Sequence, residues 1–393
     1  MIYFVIGLFV AYTAIKVFLE LLELNYIKKE KNSPVILDEK EYKEAALIAI
    51  TNSKFSIVQL IYSLLIALCW VLFGLKLLYF FGDGTFFVLA FLIIGALLNI
   101  PFSIYERFVK DKKFGFSNID AKTYILDTIK TFALLIVFGS AIIWTLLFCI
   151  EKLGALWWLW AFVVSFSIII VINIIYPTII APLFNKMTPL EDGELKEQIE
   201  QLMQKCGFKS NGLFIMDASK RDSRLNAYFG GLGSSKRVVL FDTLIKKLTI
   251  NEILAVLAHE LGHFRHGDIY KNIALMGAVL FAMFFIVAHI PTSFFEVIGL
   301  REGASSYLIF FLLFSPLFNI LIEPLLSYLS RENEFGADEF SAINQNKEDM
   351  ISALKKLALE NKAFPKAHPL YAAIYFTHPT LYERITKLKD DAI

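Results

Sequence analysis

Residues 251–268 read NEILAVLAHELGHFRHGD and contain the pattern HELGH at positions 259–263. Apolar residues recur there at spacings of three and four, which predicts a helix, and we expect Asn251 to cap its N-terminus. On a helix His259 and His263 project from one face and can bind one metal ion. Glu260 lies beside them, where it can transfer a proton. The stretch therefore predicts the centre of a metal-dependent hydrolase.

A second acidic segment offers the ligand that two histidines lack. Catalytic zinc takes about three protein ligands and leaves a position for water. Residues 330–338 read SRENEFGAD, and on a helix Glu334 and Asp338 share one face. We expect Glu334 to bind the metal and Asp338 to accept a hydrogen bond from a ligating histidine. Glu332 and Glu339 are interpreted as a solvated face.

The composition is that of an integral membrane protein. Of 393 residues, 57% are hydrophobic and 15% aromatic, against about 45–50% apolar residues in soluble domains. The net charge of +1 gives no reason to expect a nucleic-acid partner, and three dispersed cysteines predict neither a disulfide framework nor a thiolate metal site. Seven stretches are long enough to cross a lipid bilayer as helices, at residues 3–22, 55–81, 86–104, 132–150, 156–175, 273–295 and 307–329.

Basic residues are unevenly divided between the two sides of these spans. The connections after spans one and three are rich in lysine and arginine, whereas the opposite loops hold little beyond Lys152 and Arg301. Because basic loops stay on the cytoplasmic side, we expect an outside N-terminus and a cytoplasmic active site. The expected location is a bacterial inner membrane or an endoplasmic reticulum membrane.

Four regions are predicted along the chain. Residues 1–181 hold spans one to five, and residues 182–272 form a soluble catalytic insertion. Residues 273–330 hold spans six and seven, and residues 331–393 complete the metal site. Within the insertion we expect an amphipathic helix at 194–206, strands at 213–216 and 238–241, and an edge strand at 226–231.

Several segments together resemble the type I CAAX prenyl endopeptidases, integral-membrane zinc metalloproteases with a gluzincin-like HExxH…E site. The matching segments lie at residues 182–190, 223–230, 239–244, 259–263, 331–338 and 377–384. The resemblance implies an all-α polytopic membrane protein of seven transmembrane helices with a small α+β zincin-like catalytic domain.

The same resemblance implies roles for individual residues. His259, His263 and Glu334 would bind one Zn²⁺ per chain, Glu260 would act as general base and acid, and Asp338 would support the ligands. His378 and Arg384 would face the substrate carbonyl. Asn226, Ala227 and Tyr228 would hold the substrate peptide in an extended form.

The leading hypothesis is a zinc endopeptidase that hydrolyses peptide bonds at or within the membrane, with CAAX-type processing of prenylated proteins as the expected reaction. The expected substrate is a peptide or protein, but no residue in the sequence identifies a binding site for an isoprenoid. One alternative is a quality-control metalloprotease of broad specificity. The five spans before the insertion argue against it, because proteases of that type have fewer spans. Another is a transporter or scaffold with a structural metal site, which would not need Glu260.

Other polar residues carry weaker signals. Glu323 lies in span seven, where a carboxylate is costly unless it faces protein or water, and it predicts a hydrated interior. His266, Asp268 and His368 are interpreted as structural.

Overall fold

Five long helices form the first half of the protein, which we describe from a computed structural model covering residues 1–231 and 236–390, apart from the side chain of Phe81. Residues 232–235 of the predicted insertion and the last three residues lie outside the described part. The five helices are α1 (Ile2–Glu30), α2 (Glu39–Leu78), α3 (Thr85–Lys113), α4 (Ala121–Lys152) and α5 (Gly154–Phe184).

The insertion combines four strands and three helices. In chain order they are β1 (Met187–Pro189), α6 (Glu194–Lys205), β2 (Leu213–Met216), β3 (Ala227–Gly230), β4 (Arg237–Phe241), α7 (Asp242–Lys247) and α8 (Ile250–His266). The remainder is helical, with α9 (Asp268–Ala288), α10 (Ser293–Val297), α11 (Ala304–Asn344), α12 (Lys347–Glu360), α13 (Pro369–Tyr375) and α14 (Leu381–Asp390).

Seven of the described helices, α1 to α5, α9 and α11, are long and apolar enough to cross a membrane. The predicted class, a polytopic helical protein with a small α+β part, is confirmed. The sixth span differs in its bounds. It begins at Asp268, and it ends at Ala288 rather than near residue 295, with Pro291 in the turn that follows. The four predicted regions stay a prediction.

Helix α11 joins the seventh span to the segment that carries Glu334. It runs for 41 residues and contains Pro316 and Pro324 without being interrupted, so it is about 60 Å long. The apolar core of a bilayer is about 30 Å thick. One continuous helix therefore crosses the membrane and carries Glu334 beyond it, and the predicted boundary at residue 331 falls inside that helix.

Helix α8 begins with a capping box. The Thr249 hydroxyl accepts a hydrogen bond from the Glu252 amide, and the Glu252 carboxylate accepts one from the Thr249 amide at 2.7 Å. The expected cap at Asn251 is wrong, because Thr249 and Glu252 together satisfy two free amides at the helix start. The helix ends at Gly267, whose left-handed φ of 71° lets the chain turn into α9.

The sheet has the order β1-β2-β4-β3. Strands β2 and β4 are parallel and the other two pairs are antiparallel, which leaves β3 at an edge. The expected edge strand is thus observed, and β4 begins one residue earlier than predicted. Val238 and Leu240 face the core beneath α6 and α8, whereas Val239 and Tyr228 share the opposite face. On that side the ring of Tyr228 lies 6.4 Å from that of Tyr176 in α5.

Helices α8 and α11 pack closely at a glycine. A Cβ atom at Gly262 would lie 2.9 Å from Cα of Ala337 and 3.1 Å from Cβ of Phe340. One turn away, the Ser341 hydroxyl donates a buried hydrogen bond of 2.7 Å to the Ala255 carbonyl. Only a residue without a side chain permits this separation of the two helices.

We predict that Gly262→Ala destabilises the protein by about 1–3 kcal/mol, because the added methyl group overpacks the contact with the Ala337 backbone. The measurement is the melting temperature of the purified protein in detergent. Gly95→Ala is the matched control, since a Cβ atom at that helical glycine meets nothing within 4 Å. Equal melting temperatures for Gly262→Ala and the parent protein would contradict the close contact.

Candidate active site

Three side chains from two helices converge at the contact between α8 and α11. Nε2 of His259 lies 3.4 Å from Oε2 of Glu334, and Nε2 of His263 lies 3.2 Å from Oε1 of Glu334. One ligand atom from each residue lies within 4.8 Å of the other two. The structure therefore brings together the three residues that the sequence predicted as metal ligands.

The other ring nitrogen of each histidine contacts a carboxylate. Nδ1 of His259 lies 2.8 Å from Oδ1 of Asp338, and Nδ1 of His263 lies 3.0 Å from Oδ2 of Asp268. These contacts assign the proton of each neutral imidazole to Nδ1, which leaves the lone pair on Nε2 free for a metal. Both histidines are thus oriented for coordination toward the Glu334 carboxylate.

The spacing of the donor atoms fits zinc. Ligand atoms about 2.0–2.2 Å from a tetrahedral zinc ion lie about 3.4 Å from one another, close to the two histidine–carboxylate distances. Oε2 of Glu334 is also buried and accepts no hydrogen bond among the described residues, although Nη1 of Arg384 and Nε2 of His259 each lie 3.4 Å from it. A metal ion between the two histidines and Glu334 would give this oxygen a closer partner. The residues present therefore fit a metal ion.

The electrostatics of α8 agree with this arrangement. Burial would lower the pKa of His259, but its contacts with the carboxylates of Asp338 and Glu334 raise it to about 9. Because an imidazole ligand must be neutral, metal binding has to release that proton, and affinity falls as the pH decreases. Burial raises the pKa of the Glu260 carboxyl against the opposing charges of the two histidines. A carboxylate with a raised pKa is suited to accepting and returning a proton.

Arg384 on α14 lies beside the carboxylates of this cluster. Its Nε and Nη2 donate to the two oxygens of Asp338 at 2.8 and 2.6 Å, and Nη1 lies 3.4 Å from Oε2 of Glu334. The side chain is buried. Its contacts hold the carboxylates of Asp338 and Glu334 in position. The bidentate pair with Asp338 uses two of its three nitrogens, and the expected role of Arg384 toward the substrate carbonyl stays a prediction.

His378 reaches the cluster from the segment between α13 and α14. Its Nε2 lies 3.2 Å from Oε1 of Glu334, and its imidazole remains 62% exposed. Nδ1 lies 3.0 Å from the Thr377 hydroxyl. An exposed imidazole at the edge of a metal site can contact a ligand that enters from solvent. Its expected role toward substrate stays a prediction.

The predicted substrate strand lies next to the metal-bearing helix. Asn226 is exposed and precedes β3, in which Ala227 is buried and Tyr228 half-buried. The ring of Phe229 packs 5.9 Å from that of Phe264, one residue after His263. The outer edge of β3 faces away from β4 and can pair with an extended peptide.

Asp268 is the site residue that the sequence reasoning missed. It was interpreted as helix-end structure, but its carboxylate is 3% exposed and contacts both His263 and Lys271. The available signal was Gly267, because a glycine directly after a helical pattern marks the end of the helix and a turn of the chain close to His263. Glu332 and Glu339 are exposed, as expected.

We predict that Asp268→Ala weakens metal binding by about 10–100-fold, because the His263 ring loses the group that orients it and fixes its proton. The measurement is a titration of the purified protein against a competing zinc chelator. Lys271→Ala is the control, since it removes the exposed partner of Asp268 and leaves the contact with His263. Equal affinities for the two variants would contradict the role given to Asp268.

Comparisons with known proteins agree with the metallopeptidase site that the geometry indicates. Residues 189–392 match peptidase family M48, and residues 23–186 match a family described as CAAX prenyl protease N-terminal, five membrane helices. CAAX prenyl protease 1 of Saccharomyces cerevisiae is 36% identical over 316 residues, covering 75% of this chain and 69% of the relative. The CAAX prenyl protease 1 homolog of Homo sapiens is 32% identical over 346 residues, covering 77% and 73%.

A solved structure extends the likeness to the whole fold. The crystal structure of S. mikatae Ste24p matches with a TM-score of 0.91 and 30% sequence identity, covering 98% of both chains. The resemblance seen in the sequence is thereby confirmed. The chain belongs to peptidase family M48 and is an integral, multi-pass membrane metalloendopeptidase.

Proposed function

We propose that this protein is a zinc-dependent endopeptidase that processes the C-termini of prenylated CAAX-type proteins at the membrane surface. The observation that carries the proposal is the convergence of His259, His263 and Glu334, in which a membrane-spanning helix supplies the carboxylate. The names of the relatives supply the substrate class.

One zinc ion per chain is assigned to these three residues. Bound zinc supplies Lewis acidity, which acidifies a water molecule to a pKa of about 7 and polarises the scissile carbonyl. The chain's part is to hold the ligands in place, which Asp338, Asp268 and Arg384 do through the contacts with the histidines and Glu334.

Proton transfer is assigned to Glu260. It follows His259 on α8, and its carboxylate takes the proton of the attacking water and returns it to the leaving amine. Its raised pKa makes it a stronger base for the first of these steps. His378 faces the open side of the cluster, where its imidazole donates a hydrogen bond to the oxyanion that forms at the substrate carbonyl.

Substrate capture is assigned to the edge strand β3 and the residue before it. A peptide paired with β3 is held by main-chain hydrogen bonds, a mode that tolerates different side chains. Ala227 would supply main-chain groups, because backbone groups alternate along the strand and those of Asn226 and Tyr228 face β4. Asn226 and Tyr228 would contact the peptide with their side chains. A lipid-modified cysteine suits a site at the end of membrane helices, because the attached chain can remain in an apolar environment.

The proposal predicts that purified protein cleaves a farnesylated CAAX peptide and that a zinc chelator abolishes cleavage. An unfarnesylated peptide of the same sequence distinguishes CAAX processing from broad-specificity proteolysis, because a quality-control protease would cleave both peptides at similar rates. Glu260→Ala should retain zinc and lose hydrolysis, whereas Glu334→Ala should lose zinc.

Glu332→Ala is the control for the second result, since Glu332 lies two residues away on the exposed side of α11. An active Glu260→Ala protein would refute the proton-transfer assignment. A scaffold with a structural metal would show no turnover in the parent protein.

We place the active site on the cytoplasmic side. Lys366 and Lys362 of the C-terminal segment pair with Glu30 and Glu44, at 2.9 and 2.8 Å, so this segment lies on the same side as the lysine-rich connection between α1 and α2. Basic connections are retained in the cytoplasm. The host membrane is proposed to be the endoplasmic reticulum or a bacterial inner membrane.

This orientation predicts the labelling pattern of single cysteines in intact bacterial cells that carry the protein in the inner membrane. With Cys69, Cys149 and Cys206 replaced, an impermeant thiol reagent should modify cysteines at Lys152 and Glu302 from outside. Cysteines at the exposed Lys247 and Lys389 should react only after permeabilisation. Labelling at Lys247 before permeabilisation would reverse the orientation.

A further inference from the structure

One side of the first membrane helix carries charged side chains that the proposed chemistry does not use. The α1 stripe consists of Lys16, Glu20, Glu23 and Glu30. The side chains of Glu20 and Glu23 are buried, at 7% and 5% exposure. Carboxylates buried in a membrane helix are costly unless they have partners, so these partners indicate what the stripe does.

Every member of the α1 stripe contacts the segment that contains α13. Glu30 pairs with Lys366 at 2.9 Å, and Glu23 accepts the His368 main-chain amide at 2.7 Å. The Tyr371 hydroxyl donates to Glu20 at 3.0 Å. Nζ of Lys16 lies 5.2 Å from the ring centre of Tyr375. The order of these contacts shows that α13 runs antiparallel along the stripe.

Helix α11 holds the opposite side of α13. Nη1 of Arg331 lies 2.9 Å from the Ala372 carbonyl and 2.8 Å from the Phe376 carbonyl, and the Ser327 hydroxyl donates to the Ile374 carbonyl at 2.8 Å. The Ile374 carbonyl lies in the last turn of α13 and the Phe376 carbonyl directly follows it, where helix geometry leaves carbonyls without intrahelical donors. The Ala372 carbonyl accepts from the Phe376 amide as well as from Arg331. Helix α13 is therefore fixed at its start by α1 and at its end by α11.

The segment fixed in this way leads directly into the active site. His378 follows Phe376 by two residues, and its Nε2 lies 3.2 Å from Oε1 of Glu334. We propose that Glu20 and Glu23 are positioning residues, which hold α13 between α1 and α11 and thereby place the His378 imidazole at the substrate carbonyl. The catalytic part of this inference rests on the role given to His378 under the proposed function.

The chemistry of the two contacts explains why acidic residues stand there. His368 precedes the first turn of α13, so its amide has no carbonyl partner within that helix. Glu23 accepts the hydrogen bond of the His368 amide, which water would accept if this helix start were exposed. Glu20 accepts from Tyr371 one turn later, so the two carboxylates fix both the axial position and the rotation of α13.

The test removes the acceptor while keeping the volume of the side chain. Glu23→Met should lower kcat about 10- to 100-fold on a farnesylated CAAX peptide, because displacement of a catalytic group by about 1 Å costs up to about 100-fold. KM and zinc content should stay at the parental values. Glu23→Gln should restore most of kcat, since its amide oxygen still accepts from the His368 amide. Glu20→Met should act in the same direction as Glu23→Met.

A double-mutant cycle separates positioning from general stability. If Glu23 acts through His378, Glu23→Met should change kcat little in a His378→Ala background. Asp127→Asn is the matched control, because Asp127 on α4 is a half-buried carboxylate that binds Arg221 of the insertion at 2.8 Å. Its effect on kcat should be the same factor with and without His378. Multiplicative effects for Glu23→Met and His378→Ala would overturn the inference.

Hydrogen exchange provides a readout without activity. Glu23→Met should increase amide exchange in residues 366–378 and leave exchange in α8 unchanged. Unchanged exchange in residues 366–378 would overturn the inference even if kcat fell. A His378→Ala protein with parental kcat would instead refute the role of His378 in the proposed function, and with it the catalytic consequence of the positioning.

Discussion

The close contact between α8 and α11 at Gly262 is the constraint on which the metal site depends. The histidines lie on one helix and the third ligand on the other, so the separation of the two helix axes sets the distance between them. Gly262 against Ala337 and the hydrogen bond from Ser341 to the Ala255 carbonyl maintain that separation. Glu334, one turn before Ala337, is thereby held 3.2–3.4 Å from both imidazoles.

Charge balance gives the same cluster a preference for a cation. The carboxylates of Glu260, Glu334, Asp338 and Asp268 surround the two imidazoles, and Arg384 is the buried cation among the described residues that contact them. Lys271 also pairs with Asp268, but its side chain is 60% exposed. Once metal binding has released the His259 proton, the neutral imidazoles leave an excess of buried negative charge, which is costly unless a cation compensates it. A divalent ion would both complete the coordination and offset the charge.

The sequence was informative where local periodicity decides the structure. It predicted the membrane spans, the helix bearing HELGH and the shared face of Glu334 and Asp338, because each depends on spacing along one element. It placed the helix cap at Asn251, although the spacing of Thr249 and Glu252 is the sequence signature of a capping box and favours Thr249. The pairing of Arg384 with Asp338 and the contact of Asp268 with His263 depend on how separate elements meet. No single-sequence pattern specifies such contacts, and the same holds for the α1 stripe.

Helix α11 connects the membrane to the metal site, because the helix that crosses the bilayer also carries Glu334. From Tyr307 to Glu334 the helix rises about 40 Å without a break. Over this length a tilt of about 1.5° displaces the end of the helix by about 1 Å, which is large compared with the tolerance of metal coordination. The hydrogen bonds of Arg331 and Ser327 to α13 hold α11 in place just before Glu334. Helix tilt responds to the thickness of the surrounding bilayer, so we expect the position of Glu334 to depend on the thickness of the membrane that α11 crosses.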